Sequence, residues 1–278
     1  MEIILYPIFL FIFGSCFGSF LNVYRFRYPK SISIIYPGSF CPKCKKKIPW
    51  FFNIPIISWF FLKGKCNFCK SNISFQYPLV EFLTAILFTF NIFAIPHFST
   101  NYLVNIIGLT FFCSLLIAAS LIDLDNLVIP NNLLLFGSIS GLIFNLITRK
   151  IYFGENFLII IYKYLLLSFI FLVLFEIFNF IISTIIKKEA FGFGDSKYLF
   201  MISTWLGIKG ALFTFILSIY IGGLISILLI LSRLISRKGK IPFGPYLSIS
   251  AYIIGIIGSD KIAMFFREIY NIRQFFLG

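Results

Sequence analysis

The chain is dominated by long apolar stretches, separated by short segments in which most of the charges are lysine or arginine. Hydrophobic residues make up 59% of the 278 residues and charged residues only 12%, whereas soluble domains usually carry about a quarter charged residues. A helix of roughly 20 apolar residues crosses a hydrocarbon core about 30 Å thick. Within lipid each backbone amide must find its partner inside the segment, which favours helices. The sequence therefore predicts an all-α polytopic membrane protein that has the lipid bilayer as its partner.

The apolar stretches predict about eight transmembrane helices, with one long loop between the first and the second. We expect the helices near residues 3–23, 79–96, 102–122, 132–148, 157–186, 198–208, 211–235 and 242–258. The sixth is short, and its boundary with the seventh is the least defined. The first lacks the basic segment and cleavage site of a signal peptide, so we expect it to be retained. The predicted domains are the first helix 1–23, a loop domain 24–78, a membrane core 79–258 and a tail 259–278.

The basic residues predict the orientation of the helices. Between Ile3 and Val80 there are ten lysines or arginines and no acidic residue. Short cytoplasmic loops carry such an excess, so we place this loop at the cytoplasmic face, beside anionic headgroups. Alternation of the helices then puts residues 123–131, 187–197 and 236–241 at the same face. It places Arg149 and Lys150 at the outer face, which counts against the rule. Since this pattern accounts for the net charge of +14, no nucleic-acid partner is expected.

Carboxylates at membrane depth are costly and point to function, and the chain has only ten acidic residues. Five lie at span ends or in loops, where solvation explains them: Glu2, Glu155, Glu189, Asp260 and Glu268. Glu176 falls in the middle of a predicted helix, where it either pairs with Lys163 or reaches a polar cavity. Glu81 opens the second predicted helix, where a carboxylate also complements the helix dipole. A cap and a functional role therefore both remain open for Glu81.

Asp123 and Asp195 are the candidates for a catalytic pair. Asp123 ends the third predicted helix, seven residues before Pro130, and Asp195 lies in the stretch Gly-Phe-Gly-Asp-Ser-Lys. The two glycines before Asp195 are expected to permit an unusual backbone conformation or a close approach. Alternation places both acids at one membrane face. Aspartyl hydrolysis uses two carboxyls that share a proton; the alternatives are that each acid is an ordinary helix cap, or that Asp125 takes the first role.

Five stretches resemble the type IV prepilin peptidases, which are bifunctional GxGD membrane aspartyl proteases. They are Gly14 to Val23 with Arg27 and Pro29, Cys41 to Glu81, Ile122 to Pro130, Gly192 to Lys197, and Ile241 to Pro245. The resemblance implies an enzyme of the bacterial inner membrane that serves type IV pili or type II secretion. It would cleave the leader of prepilins or pseudopilins at the cytoplasmic face and methylate the new N-terminus from S-adenosylmethionine.

Carried over by motif position, Asp123 and Asp195 are the catalytic acids, and the spacing to Pro130 favours Asp123 over Asp125. Two positions depart from the family pattern. Asn131 stands where an aspartate is common, and Tyr198 stands where a leucine is common. We expect neither residue to touch the proposed chemistry.

The long loop contains two cysteine pairs with the spacing of a zinc site. Cys41 and Cys44 precede Cys66 and Cys69, with 21 residues between the pairs, which predicts a tetrahedral thiolate site for structural zinc. A reducing cytoplasm disfavours disulfides. Six lysines flank the thiols and would offset their charge: Lys43, Lys45, Lys46, Lys47, Lys65 and Lys70. Cys16 and Cys113 fall inside predicted helices and are interpreted as packing residues, and His97 as a loop residue at the outer face.

The site of the methyl donor is not located by any motif. Gly14 and Gly18 allow close helix packing or leave a groove for a substrate helix, while Asn22 and Arg27 are candidates for binding the cofactor or the substrate backbone. Three other functions are alternatives to a bifunctional peptidase. A protease without methyl transfer would use the loop for docking only; a transporter is disfavoured, since both acids lie at one face and no repeat is present. A zinc-ribbon scaffold leaves the Gly-Phe-Gly-Asp stretch unexplained.

Overall fold

The computed structural model describes residues 2–95, 102–233, 241–259, 261–262 and 264. The regular secondary structure of this part of the chain is helical, apart from two isolated β-bridges. The α-helices are α1 (Glu2–Arg27), α2 (Ile57–Phe61), α3 (Gln76–Ala94), α4 (Tyr102–Asn126), α5 (Asn131–Phe153), α6 (Phe157–Ile161), α7 (Leu167–Ile186), α8 (Phe193–Leu231) and α9 (Gly244–Ile257). A π-helical turn, Tyr162–Leu166, joins α6 to α7. His97 and most of the tail 259–278 lie outside the described residues. The chain forms two compact units that divide after Tyr102.

In the N-terminal unit, α1 and α3 pack with their backbones in close contact. A Cβ added to Gly14 would lie 2.8 Å from Cα of Ala85, and one added to Gly18 would lie 2.7 Å from Cα of Glu81. Any side chain at these positions would push the two helices apart. The interpretation of the two glycines as a close-packing surface is therefore confirmed, in agreement with the small residues found where membrane helices meet.

Helix α3 begins at Gln76, three residues earlier than predicted. Pro78 is its third residue, and a proline is tolerated in the first turn because the N–H that it lacks would have no partner in the helix. Glu81 is consequently the sixth residue of the helix and is buried. The prediction that Glu81 opens the helix is wrong, which removes the simple cap as an explanation for its carboxylate.

In the C-terminal unit, the first half of α8 lies in the hydrophobic core against α4, α5 and α9. The indole of Trp205 stacks on Phe112 at 5.1 Å and on Phe144 at 5.3 Å between ring centroids, and its Nε1–H donates to the carbonyl of Gly137 at 2.8 Å. Gly141 leaves room for this ring, since a Cβ there would lie 2.6 Å from it. The start of α8 is thus fixed between α4, α5 and α9.

Helix α8 is interrupted at Gly207, which has φ 72° and ψ 171°. Glycine adopts positive φ without steric cost, so the interruption falls at this residue. The sequence predicts two helices here, 198–208 and 211–235. The structure moves the break to Gly207 and begins the first segment at Phe193, so that Asp195 lies inside the helix and not in the preceding loop.

Six helices in the described part of the chain are long and apolar enough to cross a membrane. The count differs from the predicted eight because α8 counts as one helix of 39 residues and α9 has only 14. Glu155 lies between α5 and α6 and pairs with Lys163 at 3.1 Å and with Arg149 at 3.4 Å. Lys163 therefore does not pair with Glu176, whose buried Oε1 makes no hydrogen bond to the described residues.

Candidate active site and cysteine cluster

Asp123 lies in the last turn of α4, and its side chain is only 5% exposed. Its Oδ2 accepts the backbone N–H of Gly244 at 2.9 Å. Gly244 is the first residue of α9, where N–H groups have no partner in the helix and favour a negative charge. A Cβ on Gly244 would lie 2.7 Å from this oxygen. Asp123 is therefore held by the start of α9 through a contact that only glycine allows, and Asp125 is exposed.

Asp195 is the third residue of α8 and is partly buried. Its Oδ2 accepts the N–H of Gly192 at 3.1 Å, and its own N–H donates to the carbonyl of Gly192 at 3.0 Å. Neither Gly192 nor Gly194 has positive φ, so the prediction of an unusual backbone is wrong. A Cβ added to Gly192 would lie 3.4 Å from Oδ2 of Asp195, and a Cβ added to Gly194 would lie 3.9 Å from Ile129. These distances are ordinary contacts, so the predicted close approach is also not found.

The structure brings Asp123 and Asp195 together, although they are far apart in the sequence. The carboxyls are near enough to interact electrostatically, because the end of α4 and the start of α8 pack in the same core. Two neighbouring carboxyls cannot both ionise easily, so such a pair tends to share one proton. The pair therefore has the chemical elements of an acid and a base within electrostatic range of each other.

A hydroxyl cluster that was not predicted connects the helices behind the two acids. The hydroxyl of the fully buried Tyr198 lies 2.6 Å from Oγ of Ser248, and Oγ of Ser120 lies 2.6 Å from the same atom. Ser248 also bonds the carbonyl of Gly244 at 2.8 Å. Tyr198 follows Asp195 by three residues and Ser120 precedes Asp123 by three, a spacing that places each on one helix face with its acid.

Both departures from the family pattern make side-chain hydrogen bonds. Tyr198 belongs to the hydroxyl cluster, and Asn131 accepts a hydrogen bond from Nζ of Lys197 at 3.0 Å. The ammonium of Lys197 also lies 4.3 Å from the ring centre of Phe193. These bonds reach neither carboxyl of the pair, and the expectation that the two residues do not touch the proposed chemistry stays a prediction.

Asn179 is a further residue that sequence reasoning missed. Its side-chain amide donates to the carbonyl of Phe191 at 2.9 Å, while its Oδ1 accepts the N–H of Phe191 at 3.1 Å. This two-bond pairing fixes the backbone directly before Gly192. The ring of Phe191 then packs on Phe215 and Phe243 at 5.4 Å each. The segment that leads into Asp195 is thus held by both polar and aromatic contacts.

The four loop cysteines form one cluster in the N-terminal unit. Their Sγ atoms all lie within 4.8 Å of one another, and those of Cys41 and Cys69 are 3.9 Å apart. Zinc–sulfur bonds of about 2.3 Å in a tetrahedron place the sulfurs about 3.8 Å apart. The cluster therefore fits a zinc ion. Cys113 is buried as expected for a packing residue, whereas Cys16 is exposed, so that its interpretation as a packing residue is wrong.

Two similar turns present the four thiols. The carbonyl of Cys41 accepts the N–H of Lys45 at 2.8 Å, and the carbonyl of Cys66 accepts that of Lys70 at 2.9 Å. Both lysines take a left-handed conformation, with φ of 58° and 56°. The hydroxyl of Ser71 lies 3.2 Å from the sulfur of Cys69, and hydrogen bonding with Ser71 lowers the pKa of this thiol. A lowered pKa favours the thiolate, which is the form that binds metal.

Asn22 and Arg27 make bonds within the N-terminal unit. The amide of Asn22 donates to the carbonyl of Tyr77 at 3.0 Å, and the buried guanidinium of Arg27 donates to three loop carbonyls at 2.9 to 3.2 Å. Both residues also line a cavity of about 400 Å³. Arg27 therefore fixes the loop directly after α1, and both side chains border a space large enough for a small molecule.

These features define a class: a multi-pass helical membrane protein with two adjoining carboxyls at helix ends and a separate four-thiol cluster. The chain belongs to the type IV leader peptidase family. Residues 110–227 match the type IV leader peptidase family profile, and residues 12–95 match that of the bacterial peptidase A24 N-terminal domain. Residues 110–227 include both aspartates, and residues 12–95 include all four clustered cysteines.

Curated relatives cover nearly the whole chain. Each of the following three is named prepilin leader peptidase/N-methyltransferase. The protein from Aeromonas salmonicida is 31% identical over 94% of both chains. The protein from Pseudomonas aeruginosa is 31% identical over 90% of this chain and 89% of its own length. The protein from Bacillus subtilis is 33% identical over 93% of this chain and 97% of its own length. No solved structure gives a significant match.

Proposed function

We propose that this chain is a membrane aspartyl endopeptidase that cleaves the leader of type IV prepilins or pseudopilins and N-methylates the new N-terminal residue. The observation that carries the proposal is the meeting of Asp123 and Asp195 at the ends of two helices. The names of the relatives support both activities. In this proposal the enzyme acts on pilins of type IV pili or of type II secretion and not on nucleic acid.

The proposed cleavage uses the two carboxyls in different protonation states. The ionised carboxyl takes a proton from water as the water oxygen bonds to the peptide carbonyl carbon. The protonated carboxyl donates its proton to the carbonyl oxygen of the substrate. The carbon–nitrogen bond then breaks, and the proton taken from water passes to the leaving amine. Gly244 and Gly192 each bond Oδ2 of one acid. We expect the Oδ1 atoms to face the water and the peptide.

The proposed topology has eight spans in the bacterial inner membrane. A continuous helix of 39 residues would be about 58 Å long, nearly twice the hydrocarbon thickness. We therefore divide α8 at Gly207 into two spans and count α9 as the eighth. The basic loop supports a cytoplasmic position for the cysteine cluster and the aspartates.

The proposed domains are the first span 1–23, the zinc loop 24–78, the protease core 79–258 and the tail 259–278. In the structure α3 packs on α1, so the first helix of the proposed core also belongs to the N-terminal unit. Structural zinc would be held by Cys41, Cys44, Cys66 and Cys69. It would stabilise a loop that has little hydrophobic core of its own.

The test is cleavage of a prepilin by variants of the two acids. We expect Asp123→Asn and Asp195→Asn each to lower the cleavage rate by at least about 10²-fold, the usual contribution of a general acid or base. Asp125→Asn is the matched control and should cleave at the normal rate. Membrane insertion is checked in all three variants. Normal cleavage by either of the first two variants would exclude the proposed pair.

A further inference from the structure

The short helix α2 and the 3₁₀ turn before it, Trp50–Phe52, form a segment with an inner and an outer set of side chains. Phe52 and Trp59 line the cavity of the N-terminal unit. Oγ of Ser58 donates to the carbonyl of Phe51 at 3.3 Å, which holds the turn beside the helix. The large apolar side chains of the segment that do not line the cavity are exposed. We call them the aromatic face: Trp50, Phe51, Ile57, Phe60 and Phe61.

The aromatic face is open to a degree that is unusual for rings of this size. Trp50 is 80% exposed and Phe61 is 85% exposed, whereas aromatic side chains usually stabilise a protein through their burial. Ile57, Phe60 and Phe61 are spaced by three and four residues, so they project from one side of α2. An exposed apolar surface of this kind marks a place where a protein or a membrane binds. The aromatic face therefore requires a partner.

The ends of α1 and α3 place this segment at one membrane surface. Both helices are long and apolar enough to cross a bilayer. They pack antiparallel, since Gly14 lies against Ala85 and Gly18 lies against Glu81, so the chain leaves the membrane and re-enters it at the same face. Helix α3 has 19 residues and is about 28 Å long, close to the thickness of the hydrocarbon core. Its first turn therefore lies at the level of the headgroups.

Two contacts hold α2 at this level. The backbone N–H of Ile56, directly before α2, donates to Oε2 of Glu81 at 2.6 Å. Glu81 lies about 7 Å along α3 from its first residue, Gln76. The ring of Trp59 packs edge to face on Phe75 with centroids 5.4 Å apart, and Phe75 directly precedes α3. The segment thus lies beside the first turns of α3, where the surroundings are lipid headgroups and the adjoining part of the acyl chains.

The charges around the aromatic face favour an anionic partner. Lys47 precedes the segment, and Lys63 and Lys65 follow it; all three are exposed. No acidic residue occurs between Ile3 and Val80, so the loop itself supplies no carboxylate to offset them. Lysines close to a membrane attract anionic lipids, and lysines beside tryptophan and phenylalanine are typical of segments that lie in the membrane interface. Lipid is therefore favoured over an apolar protein partner.

We propose that the aromatic face binds the bilayer itself, with its rings at the boundary between headgroups and acyl chains and with the three lysines on anionic phosphates. The inference rests on α1 and α3 crossing the membrane and not on the peptidase activity. The cysteine loop is then held against the bilayer by α2 as well as by its two ends. The thiol cluster, which the same loop carries, consequently has a fixed place at the membrane surface.

The first test measures the depth of Trp50 in the full chain, reconstituted in phosphatidylglycerol bilayers whose acyl chains carry bromine either near the headgroup or near the chain end. Bromine quenches a nearby indole, and the difference between the wild-type chain and Trp50→Phe isolates the signal of this residue. We expect bromine near the headgroup to quench that signal at least twofold, and bromine near the chain end to quench it less. Absence of quenching in both bilayers would overturn the inference, and stronger quenching near the chain end would contradict the proposed depth.

The second test changes the aromatic face. Phe60→Ser together with Phe61→Ser should lower the quenching of Trp50 at least twofold, because the remaining rings no longer hold the segment in the interface. Ile35→Ser together with Tyr36→Ser is the matched control, since these two residues are also exposed in the same loop but lie outside the face. Thermal unfolding in detergent reports whether each variant is folded. Unchanged quenching in a folded Phe60 and Phe61 double variant would contradict the proposed surface.

The third test separates the charges from the rings. In phosphatidylcholine bilayers, which carry no net charge, bromine near the headgroup should quench Trp50 at least twofold less than it does in phosphatidylglycerol. Combining Lys47→Gln, Lys63→Gln and Lys65→Gln should remove this difference between the two lipids. Equal quenching of the wild-type chain in both lipids would refute the contact with anionic headgroups, and a triple variant that keeps the difference would exclude these lysines as its source.

Discussion

At the scale of single residues, the candidate active site depends on glycine contacts that fix the two acids. The start of α9 meets Asp123 so closely that no side chain fits at Gly244. Gly244 thus supplies the N–H that binds the carboxylate and also leaves the space that a side chain would fill. Misplacing a catalytic group by about 1 Å can cost about 10²-fold in rate. The position of Asp123 is therefore expected to be sensitive to a single methyl group.

Gly244→Ala should lower the rate of leader cleavage at least tenfold. The new Cβ would lie 2.7 Å from Oδ2 of Asp123, which forces the carboxyl or the helix start to move. Gly255→Ala in the same helix is the control, since its nearest contact would be an ordinary 3.6 Å. Initial rates on a prepilin substrate measure the effect. Equal rates for the two variants would show that the contact is unimportant.

Tyr198→Phe tests the hydroxyl cluster behind the acids. Loss of this hydroxyl leaves Ser248 without one of its partners, which typically costs about 1 kcal/mol of stability. Because Ser248 also bonds the carbonyl of Gly244, we expect kcat for cleavage to fall several-fold while KM stays constant. Tyr220→Phe, an exposed tyrosine of the same helix, should change neither. A change in KM alone would contradict a positioning role.

The sequence identified the acids but not the residues that hold them. Asp123 and Asp195 stand out because carboxylates are rare in apolar stretches and because their motifs resemble a known family. Gly244, Ser248 and Tyr198 come together only when α4, α8 and α9 pack, so no local pattern marks the contacts between them. Asn179 was missed for the same reason, since it lies in α7 and bonds the loop that follows.

At the scale of helices, hydropathy predicted where apolar segments lie but not how they begin and end. Predicted helices at 102–122 and 157–186 correspond closely to the structure, because long apolar runs leave little choice in lipid. Hydropathy predicts the start of α3 at residue 79, three residues too late, because it assigns Tyr77 and Pro78 to the loop. The apolar pattern predicts the division of α8 between residues 208 and 211, whereas positive φ at Gly207 makes the break.

Gly207→Ala should destabilise the protein by about 1–3 kcal/mol, the usual cost of a residue with a side chain in a sparsely populated conformation. Space is available for the methyl group, since the nearest atom would be 3.7 Å away, so the cost lies in the backbone alone. Gly223→Ala, later in α8 and with no neighbour within 4 Å, should be neutral or stabilising. Thermal unfolding in detergent measures both. Equal stability of the two variants would contradict a break at Gly207.

At the scale of the whole molecule, the two units carry different chemistry. The N-terminal unit contains the thiol cluster and the cavity with Glu81, and the C-terminal unit contains the two aspartates. Cys41 and Cys66 belong to the cluster and also line the cavity. A metal held by the thiols would therefore fix part of the cavity wall, and the order of the loop should depend on the metal.

Replacing Cys41 and Cys44 together by serine should remove zinc from the purified chain and destabilise the loop that the thiols hold together. Two of the four ligands are then lost, and the loop that forms the cavity wall is no longer cross-linked. Metal analysis and limited proteolysis of the same samples measure the two effects, and Cys16→Ser, at an exposed cysteine outside the cluster, is the control. Chelation of the wild-type chain should expose the loop to protease in the same way, and added zinc should restore its protection. Full zinc content in the Cys41 and Cys44 double variant would exclude this site, whereas unchanged protection after loss of zinc would contradict a structural role for the metal.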